Sequence, residues 1–257
     1  MKLILSPTKS LNKDFGANKQ SIIEDYSSIN FPDKSLKLVK VLKKLKSKDI
    51  ASLMKVSASI SDLNYTRFQN FSPEFTSENA MQAILAFTGD AYRGLDAKSF
   101  TKKDFDFAQE NLRILSGLYG VLKPLDLIQP YRLEMGSKLK ISAKEKNLYS
   151  YWKDTSVKYL NKEMKGELLV NLASNEYFKS IDLKQLNSDV LTIHFKDFKN
   201  GDYKTIMTYA KFARGLMSQF IIKNKISNPE EIKGFDMENY SFNHNLSKEF
   251  DWVFTRG

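Results

Sequence analysis

Three short apolar runs in this 257-residue chain each lead into polar and charged side chains that could bind an anion. The runs are KLIL (2–5), AILAF (83–87) and ELLVNLAS (167–174), and each one predicts a strand. In α/β sheets, ligands bind beyond the carboxyl ends of strands, where loops and helix N-termini supply N–H donors. The side chains at these three places are Ser6, Lys9, Asp90, Tyr92, Arg93, Asn171, Ser174 and Glu176. Together they predict a shared polar pocket, although each loop on its own is more typical of ordinary caps and turns.

One predicted helix carries two cations on an otherwise apolar surface. The segment MTYAKFARGLMSQFII (207–222) leaves little of the helix circumference polar, which predicts that the helix is largely buried. Lys211 and Arg214 lie three residues apart and therefore share a face. Because an unpaired buried charge is costly, this pair needs a partner. Either an internal carboxylate such as Glu134 or Glu176 supplies it, or both cations line a basic cleft.

The charge balance favours an anionic partner. The chain has a net charge of +10 and a pI of about 9.4. A lysine-rich stretch over 33–55 contributes much of this charge and is also typical of solvated helix faces. The arginines are more selective, because a guanidinium fork binds phosphate and carboxylate in a fixed geometry. Four of the six arginines fall within the unusual motifs of the chain: Arg93, Arg113, Arg132 and Arg214.

The composition gives little support for redox or metal chemistry. With no cysteine, the chain has no disulfide, no thiolate nucleophile and no cysteine-ligated metal. His194 and His244 are its only histidines, and neither has a Glu-x-x-His or His-x-x-x-His spacing. We therefore predict no metal site and no cofactor. The apolar run at the start is too short for a signal peptide, and no stretch approaches the roughly 20 apolar residues of a membrane span, so we expect a cytoplasmic location.

Helices and strands are predicted to alternate without a regular period. Besides the three runs above, we predict strands at RILSG, at both arms of a hairpin that turns at Asn200-Gly201, and at FDWVFTR. Helices are predicted over 34–70 (two or three), after a capping box at Thr101, over 144–164, over 208–224 and after Pro229. This order predicts an α/β (mixed α+β) fold in which helices flank one mixed sheet. No repeat or linker divides it, so we expect a single domain over residues 1–257.

The segment LRILSGLYGVLKPLDLIQPYRLEMG (112–136) concentrates glycine, proline and arginine. Gly117 and Gly120 favour a tight chain reversal, and at least one of them should have a positive φ, which other residues adopt only at a cost. The leucine and glycine spacing is similar to that of a helix–hairpin–helix element, whose turn offers N–H groups to a DNA phosphate without reading sequence. The match is imperfect, because these glycines lie three apart where the usual element has them two apart.

Five motifs of unusual composition are spread along the chain: SPTKSL, AILAFTGDAYRGL, the segment 112–136, LVNLASNEYFKSI and YAKFARGLMSQFII. Together they resemble the YaaA family of bacterial peroxide stress proteins, over residues 2 to about 240. The resemblance implies a cytoplasmic protein that limits oxidative damage and is linked to low free intracellular iron. It also implies a compact α/β fold with a basic cleft and a helix–hairpin–helix-like element, here Leu112 to Leu127, that binds duplex DNA. By position, the cleft residues would be Lys9, Arg113, Lys123, Arg132, Lys211 and Arg214.

Two functions stay open on the sequence alone. The first is a protective protein without turnover, which binds duplex DNA through a basic cleft with little sequence specificity. Its DNA- or anion-binding residues would be Lys9, Arg113, Gly117, Gly120, Lys123, Arg132, Ser174, Lys211 and Arg214. The second is an enzyme that acts on a phosphorylated or nucleotide-like small molecule, with Asp90 or Glu176 as general base. In either case we expect Lys9, Arg132, Lys211 and Arg214 on one concave surface.

Overall fold

The computed structural model of the chain describes residues 1–15 and 24–257. The helices are α1 (Pro32–Leu42), α2 (Ser47–Met54), α3 (Ala58–Gln69), α4 (Ala83–Ala86), α5 (Asp90–Leu95), α6 (Lys102–Asn111), α7 (Leu148–Met164), α8 (Asn175–Phe178) and α9 (Met207–Lys223), with short 3₁₀ segments at Ala97–Ser99, Pro229–Gly234 and Met237–Asn239. The strands are β1 (Lys2–Leu5), β2 (Ser10–Leu11), β3 (Met81–Gln82), β4 (Phe87–Thr88), β5 (Leu112–Ser116), β6 (Gly120–Leu122), β7 (Leu127–Ile128), β8 (Leu169–Leu172), β9 (Val190–Lys199), β10 (Asp202–Lys204), β11 (Ser241–Phe242) and β12 (Asp251–Arg256). Within this described part of the chain, no helix combines the length and the apolar character needed to cross a bilayer.

Parallel strands form the centre of an eight-stranded mixed sheet. The strands run in the order β11-β12-β9-β8-β1-β5-β6, and β10 pairs with β9. All neighbours from β12 to β5 are parallel, while β6, β10 and β11 pair antiparallel. The structure therefore has the mixed sheet flanked by helices that the sequence predicts.

The central strands are buried on both faces. Every residue of β1, β5 and β8 is buried. Parallel strands covered on both sides have continuous apolar sequences rather than alternating ones, because neither face meets water. The hairpin between β9 and β10 turns at Asn200 and Gly201, which have positive φ values of 54° and 79°. An Asn-Gly pair adopts such values readily, so this part of the sequence prediction is confirmed.

Helices α5 and α9 pack so closely that their contact requires glycine. A Cβ added at Gly215 would lie 1.9 Å from the carbonyl oxygen of Ala91, and one added at Gly94 would lie 2.3 Å from that of Phe212. Both neighbours are backbone atoms, which cannot move aside without shifting a whole helix. The two glycines therefore set the distance between α5 and α9.

The prediction that AILAF forms a strand of the sheet is wrong. Ala83–Ala86 forms helix α4, and only Phe87–Thr88 is a strand, β4, which pairs antiparallel with β2. A short apolar run is compatible with either state. The N–H groups of Ala83 and Ile84 donate to the carbonyl oxygens of Asp126 and Pro124, next to the pairing of β3 with β7. The loop after β4 nevertheless lies beside the loop after β1, because β2 and β4 pair.

The segment 112–136 does not form the predicted helix–hairpin–helix element. It opens with the antiparallel strands β5 and β6, joined by a tight turn at the edge of the sheet. Gly120 has a φ of +76°, which confirms that one of the two turn glycines has a positive φ. A Cβ at Gly120 would also lie 2.6 Å from the ring of Trp152, so the turn packs directly on α7. Glycine spacing alone could not distinguish this β-turn from a turn between helices.

We expect Gly215→Ala to lower the free energy of unfolding by about 2 kcal/mol, because overpacking a tight contact costs about 1–3 kcal/mol. Urea denaturation followed by circular dichroism measures the change. Gly234→Ala is the matched control, since a Cβ at Gly234 would meet nothing within 4 Å. Equal stability of the two variants would contradict the packing of α5 on α9.

Candidate functional site

The carboxyl ends of β1 and β8 meet where the strand order of the sheet reverses. From β1 the chain proceeds to β5 on one side, and from β8 it proceeds to β9 and β12 on the other. In open α/β sheets such a switch point leaves a crevice, because the loops after the two strands depart in opposite directions. Here the crevice lies between the loop that begins at Ser6 and the loop that begins at Ala173.

A cavity of about 260 Å³ occupies this crevice, and we call it the strand-end pocket. The ends of β1 and β8, the starts of α5 and α8 and one face of α9 enclose it. Its lining residues are Leu5, Ser6, Pro7, Thr8, Lys9, Ser10, Gly89, Asp90, Ala91, Leu172, Ser174, Glu176, Tyr177, Lys211 and Arg214. The fold thus brings Lys9, Lys211 and Arg214 onto one concave surface, as expected from the sequence.

Two serines join the strand ends at this pocket. The Ser6 hydroxyl lies 3.3 Å from the Ser174 Oγ, and the Ser174 backbone N–H donates to the Ser6 Oγ at 2.9 Å. The Tyr92 hydroxyl donates to the Ser6 carbonyl oxygen at 3.2 Å, which ties α5 to the loop after β1. Burial raises the pKa of Tyr92 well above its usual value, so this hydroxyl stays protonated as a donor. The loops after β1 and β8 and the helix α5 therefore form one hydrogen-bonded unit.

The guanidinium of Arg214 pairs with no carboxylate of the described residues. Its Nε is buried and has no hydrogen-bond partner there either, and burial lowers the pKa of the group. Lys211 lies one turn earlier on α9, is exposed, and forms no ion pair within residues 1–15 and 24–257. Glu134 and Glu176, the internal partners considered from the sequence, bind other groups. Both cations of α9 line the strand-end pocket, together with the carboxylates of Asp90 and Glu176.

Glu134 connects Lys9 to Arg132. Its Oε1 lies 3.3 Å from the Lys9 Nζ and 3.0 Å from a terminal nitrogen of Arg132. Its Oε2 is buried and has no hydrogen-bond partner among the described residues. Arg132 does not line the strand-end pocket, so the expectation that it shares one concave surface with Lys9, Lys211 and Arg214 is wrong for this residue, which pairs with Glu134 instead. Lys9, with 63% of its side chain exposed, is held at the rim by this carboxylate.

Asp90 and Glu176 bring negative charge into the same pocket. Asp90 pairs with Arg93, one turn later on α5, at 3.1 Å. Glu176 accepts a hydrogen bond through Oε1 from the Gly136 backbone N–H at 2.9 Å, and it pairs with no cation of the described residues. Nowhere in the described part of the chain do three or more acidic or histidine side chains gather as metal ligands would. Of the two acids, Glu176 is the one whose charge no described side chain compensates.

Arg113 and Lys123 lie in a separate cluster and do not line the pocket. The guanidinium of Arg113 pairs with Glu163 and donates to the carbonyl oxygens of Gln109 and Leu112 at 3.0 and 2.7 Å. The Nζ of Lys123 lies 3.6 Å from the same Glu163 carboxylate. The expectation that Arg113 lines a cleft is wrong, because this residue belongs to a strand that is buried on both faces and is only 2% exposed. Its charge is compensated inside the protein by α7.

Gly117 and Gly120 are also buried, so the expectation that they present N–H groups to a phosphate is wrong. The indole N–H of Trp152 donates to the Gly117 carbonyl oxygen at 2.9 Å. A Cβ at Gly117 would lie 2.2 Å from the carbonyl oxygen of Leu133. The N–H groups of the next two residues both donate to the Ser116 Oγ. The turn is therefore satisfied within the fold and has no free face for a ligand.

Sequence reasoning missed several residues that line the pocket, although they belong to the motifs it singled out. These are Thr8 and Ser10 of SPTKSL, Gly89 of AILAFTGDAYRGL and Tyr177 of NEYFKS. The motifs indicated a site, but residue type alone does not show which neighbours face the cavity. Glu134 was weighed as a partner for the α9 cations and binds Lys9 and Arg132 instead, because the segment 112–136 ends beside the loop after β1.

Comparisons with known proteins all identify one family. A family model described as "Peroxide stress protein YaaA" matches residues 1–246. A protein of Colwellia psychrerythraea named UPF0246 protein is 51% identical over 259 residues, covering 100% of this chain and 99% of that protein. UPF0246 proteins of Saccharophagus degradans and Acaryochloris marina are 48% and 49% identical, covering 100% of this chain and 99% and 100% of those proteins. The chain belongs to the family of the peroxide stress protein YaaA.

Proposed function

We propose that the protein serves in the peroxide stress response by binding a phosphate-bearing anion in the strand-end pocket. The observation that carries this proposal is Arg214, whose buried Nε and unpaired guanidinium lie at the cavity between β1 and β8. Arg214 is half-buried, and a buried Nε without a hydrogen bond costs free energy unless a ligand supplies the partner. Lys211, which forms no ion pair with a described residue, lines the same cavity, and Lys9 lies at its rim beside Glu134, so positive charge on this side of the pocket favours an anion.

Phosphate suits the donors that converge on this pocket. A guanidinium fork binds two phosphate oxygens at once, and an ammonium group binds phosphate as a point charge. The hydroxyls of Ser6 and Ser174 are neutral groups that both donate and accept hydrogen bonds. These groups come from three different elements and approach from different directions. An anion with several oxygens can satisfy them together, which a flat carboxylate cannot do as completely.

The size of the pocket favours a small phosphorylated molecule. A volume of about 260 Å³ lies just below the range of about 300–1,000 Å³ that is usual for drug-sized ligands. A DNA duplex is too wide to enter and would reach only the exposed Lys9 and Lys211, leaving Arg214 unpaired. If the bound molecule reacts, Asp90 and Glu176 are the carboxylates positioned to act as general base.

Duplex DNA is the second candidate, favoured by the net charge of +10 and by the exposure of Lys9 and Lys211. Backbone phosphates would then contact the lysines at the rim, with little dependence on base sequence. The structure gives this candidate less support than the sequence does, because Arg113, Gly117 and Gly120, which were expected to contact DNA, are buried. Both candidates use the same chemistry, a phosphate on the cations of the strand-end pocket.

We expect Arg214→Met to weaken the binding of inorganic phosphate by about 10- to 100-fold, because hydrogen bonds to a charged group contribute about 1.5–3 kcal/mol. The methionine keeps an unbranched apolar stem and removes only the charged fork. Isothermal titration calorimetry measures the affinity, and a thermal melt confirms that the variant is folded. Lys223→Ala, which removes an exposed cation from the end of the same helix, should leave the affinity within about twofold.

A duplex titrated at several salt concentrations distinguishes the second candidate. If DNA is the ligand, Lys9→Ala and Lys211→Ala should each reduce the slope of log affinity against log salt by about one, on every duplex sequence. If the ligand is small, both variants leave weak duplex binding unchanged but weaken phosphate binding. Wild-type protein that binds neither phosphate nor duplex, or that binds both independently of Arg214, Lys9 and Lys211, would contradict the proposal.

The family resemblance also implies that the protein limits oxidative damage and is linked to low free iron. We propose that both effects follow from ligand binding in the cytoplasm. In a bacterial strain that lacks its own family member, wild-type protein and Lys223→Ala should restore survival in hydrogen peroxide and lower free iron. Arg214→Met should restore neither. Colony counts and electron paramagnetic resonance of whole cells measure the two effects. Full restoration by Arg214→Met would separate the stress function from the pocket.

A further inference from the structure

The strand-end pocket contains carboxylates as well as cations, which a site for a bare anion does not need. Asp90 and Glu176 both line it, and their negative charges repel an incoming phosphate. An ionised carboxylate only accepts hydrogen bonds, so its favourable partner in a ligand is a donor group. A pocket with both kinds of side chain fits a ligand that carries an anion at one end and hydrogen-bond donors at the other.

Glu176 is an exposed carboxylate at the edge of the strand-end pocket, where a ligand can reach it. Its Oε1 accepts the Gly136 backbone N–H at 2.9 Å, which fixes the orientation of the carboxylate. Its Oε2 has no hydrogen bond to a described residue, and no described cation compensates its charge. Asp90 differs, because Arg93 pairs with it at 3.1 Å. Glu176 is therefore the stronger candidate for a direct ligand contact.

The donor that fits best is a hydroxyl rather than an ammonium group. Lys9, Lys211 and Arg214 line the same cavity and would repel a second cation. The paired hydroxyls of Ser6 and Ser174 can exchange hydrogen bonds with ligand hydroxyls, because each donates and accepts. A cavity of about 260 Å³ has room for a short carbon chain or one sugar ring beside a phosphate.

We infer that the ligand of the strand-end pocket is a small phosphate ester of a polyol, with its phosphate on Arg214 and Lys211 and its hydroxyls on Glu176. This inference rests on the proposed function, because it assigns the phosphate to the same cations. It goes further in naming the class of molecule and in giving Glu176 the role that selects it. Glu176 thereby discriminates a phosphorylated polyol from free phosphate, and the arginine cannot do this alone.

Ribose 5-phosphate and inorganic phosphate are the probes that test this assignment. Wild-type protein should bind ribose 5-phosphate at least tenfold more tightly than inorganic phosphate in isothermal titration calorimetry. Glu176→Gln should weaken the binding of ribose 5-phosphate by about tenfold. It should leave the affinity for inorganic phosphate unchanged or increase it, because a repelling charge is removed. The amide oxygen of glutamine can still accept the Gly136 N–H, so the fold is retained. Glu249→Gln, at an exposed position outside the pocket, is the matched control and should change neither affinity.

The outcomes separate this inference from the proposed function. If phosphate binds in an Arg214-dependent way but Glu176→Gln leaves the affinity for ribose 5-phosphate unchanged, the polyol assignment is overturned and the proposed function stands. If Glu176→Gln weakens the binding of both probes equally, Glu176 maintains the structure of the pocket and does not select hydroxyl groups. The polyol assignment is then also overturned. If neither probe binds wild-type protein, the proposed function and the inference both fail.

Discussion

The close contact between α5 and α9 is the constraint on which the strand-end pocket depends. Gly215 directly follows Arg214 and lets the backbone of α9 approach the carbonyl of Ala91. Asp90, at the start of α5, then faces the same cavity as Arg214. A larger residue at position 215 would push the helices apart and move the guanidinium away from the ends of β1 and β8. Lys211 and Arg214 are therefore positioned by the backbone packing of α9 on α5, whereas Lys9 is held by its ion pair with Glu134.

This arrangement has a consequence for stability. Arg113 is as deeply enclosed as a core residue, and Glu163 compensates its charge within the fold. Both arginines have a buried Nε without a hydrogen bond, but Arg214 also lacks a carboxylate partner among the described residues. Retaining an uncompensated charge lowers the stability of the free protein, as is common where a site is prepared for a ligand. An anion that binds there should raise the free energy of unfolding, so ligand binding and folding are coupled.

The parts of the fold that follow from local sequence could be predicted. Continuous apolar runs predicted the central strands, and the Asn200-Gly201 pair predicted the hairpin. The spacing of Lys211 and Arg214 predicted that they share one helix face, but not whether a carboxylate of the protein pairs with them. What depends on distant partners could not be predicted. Nothing near Arg113 in the sequence shows that Glu163 lies opposite it. Nor does the AILAF run show that carbonyl oxygens of residues 124 and 126 accept the first N–H groups of helix α4.

The most direct test of the account is to locate an anion in crystals of the protein. Selenate has the shape and charge of a phosphate-like anion, and its selenium scatters anomalously, so its position can be found without prior assumptions. We predict an anomalous peak in the strand-end pocket, within hydrogen-bond distance of Arg214, and no such peak there in crystals of Arg214→Met. A vacant pocket in wild-type crystals whose only anomalous peaks lie on the lysine-rich surface of α1 and α2 would contradict it.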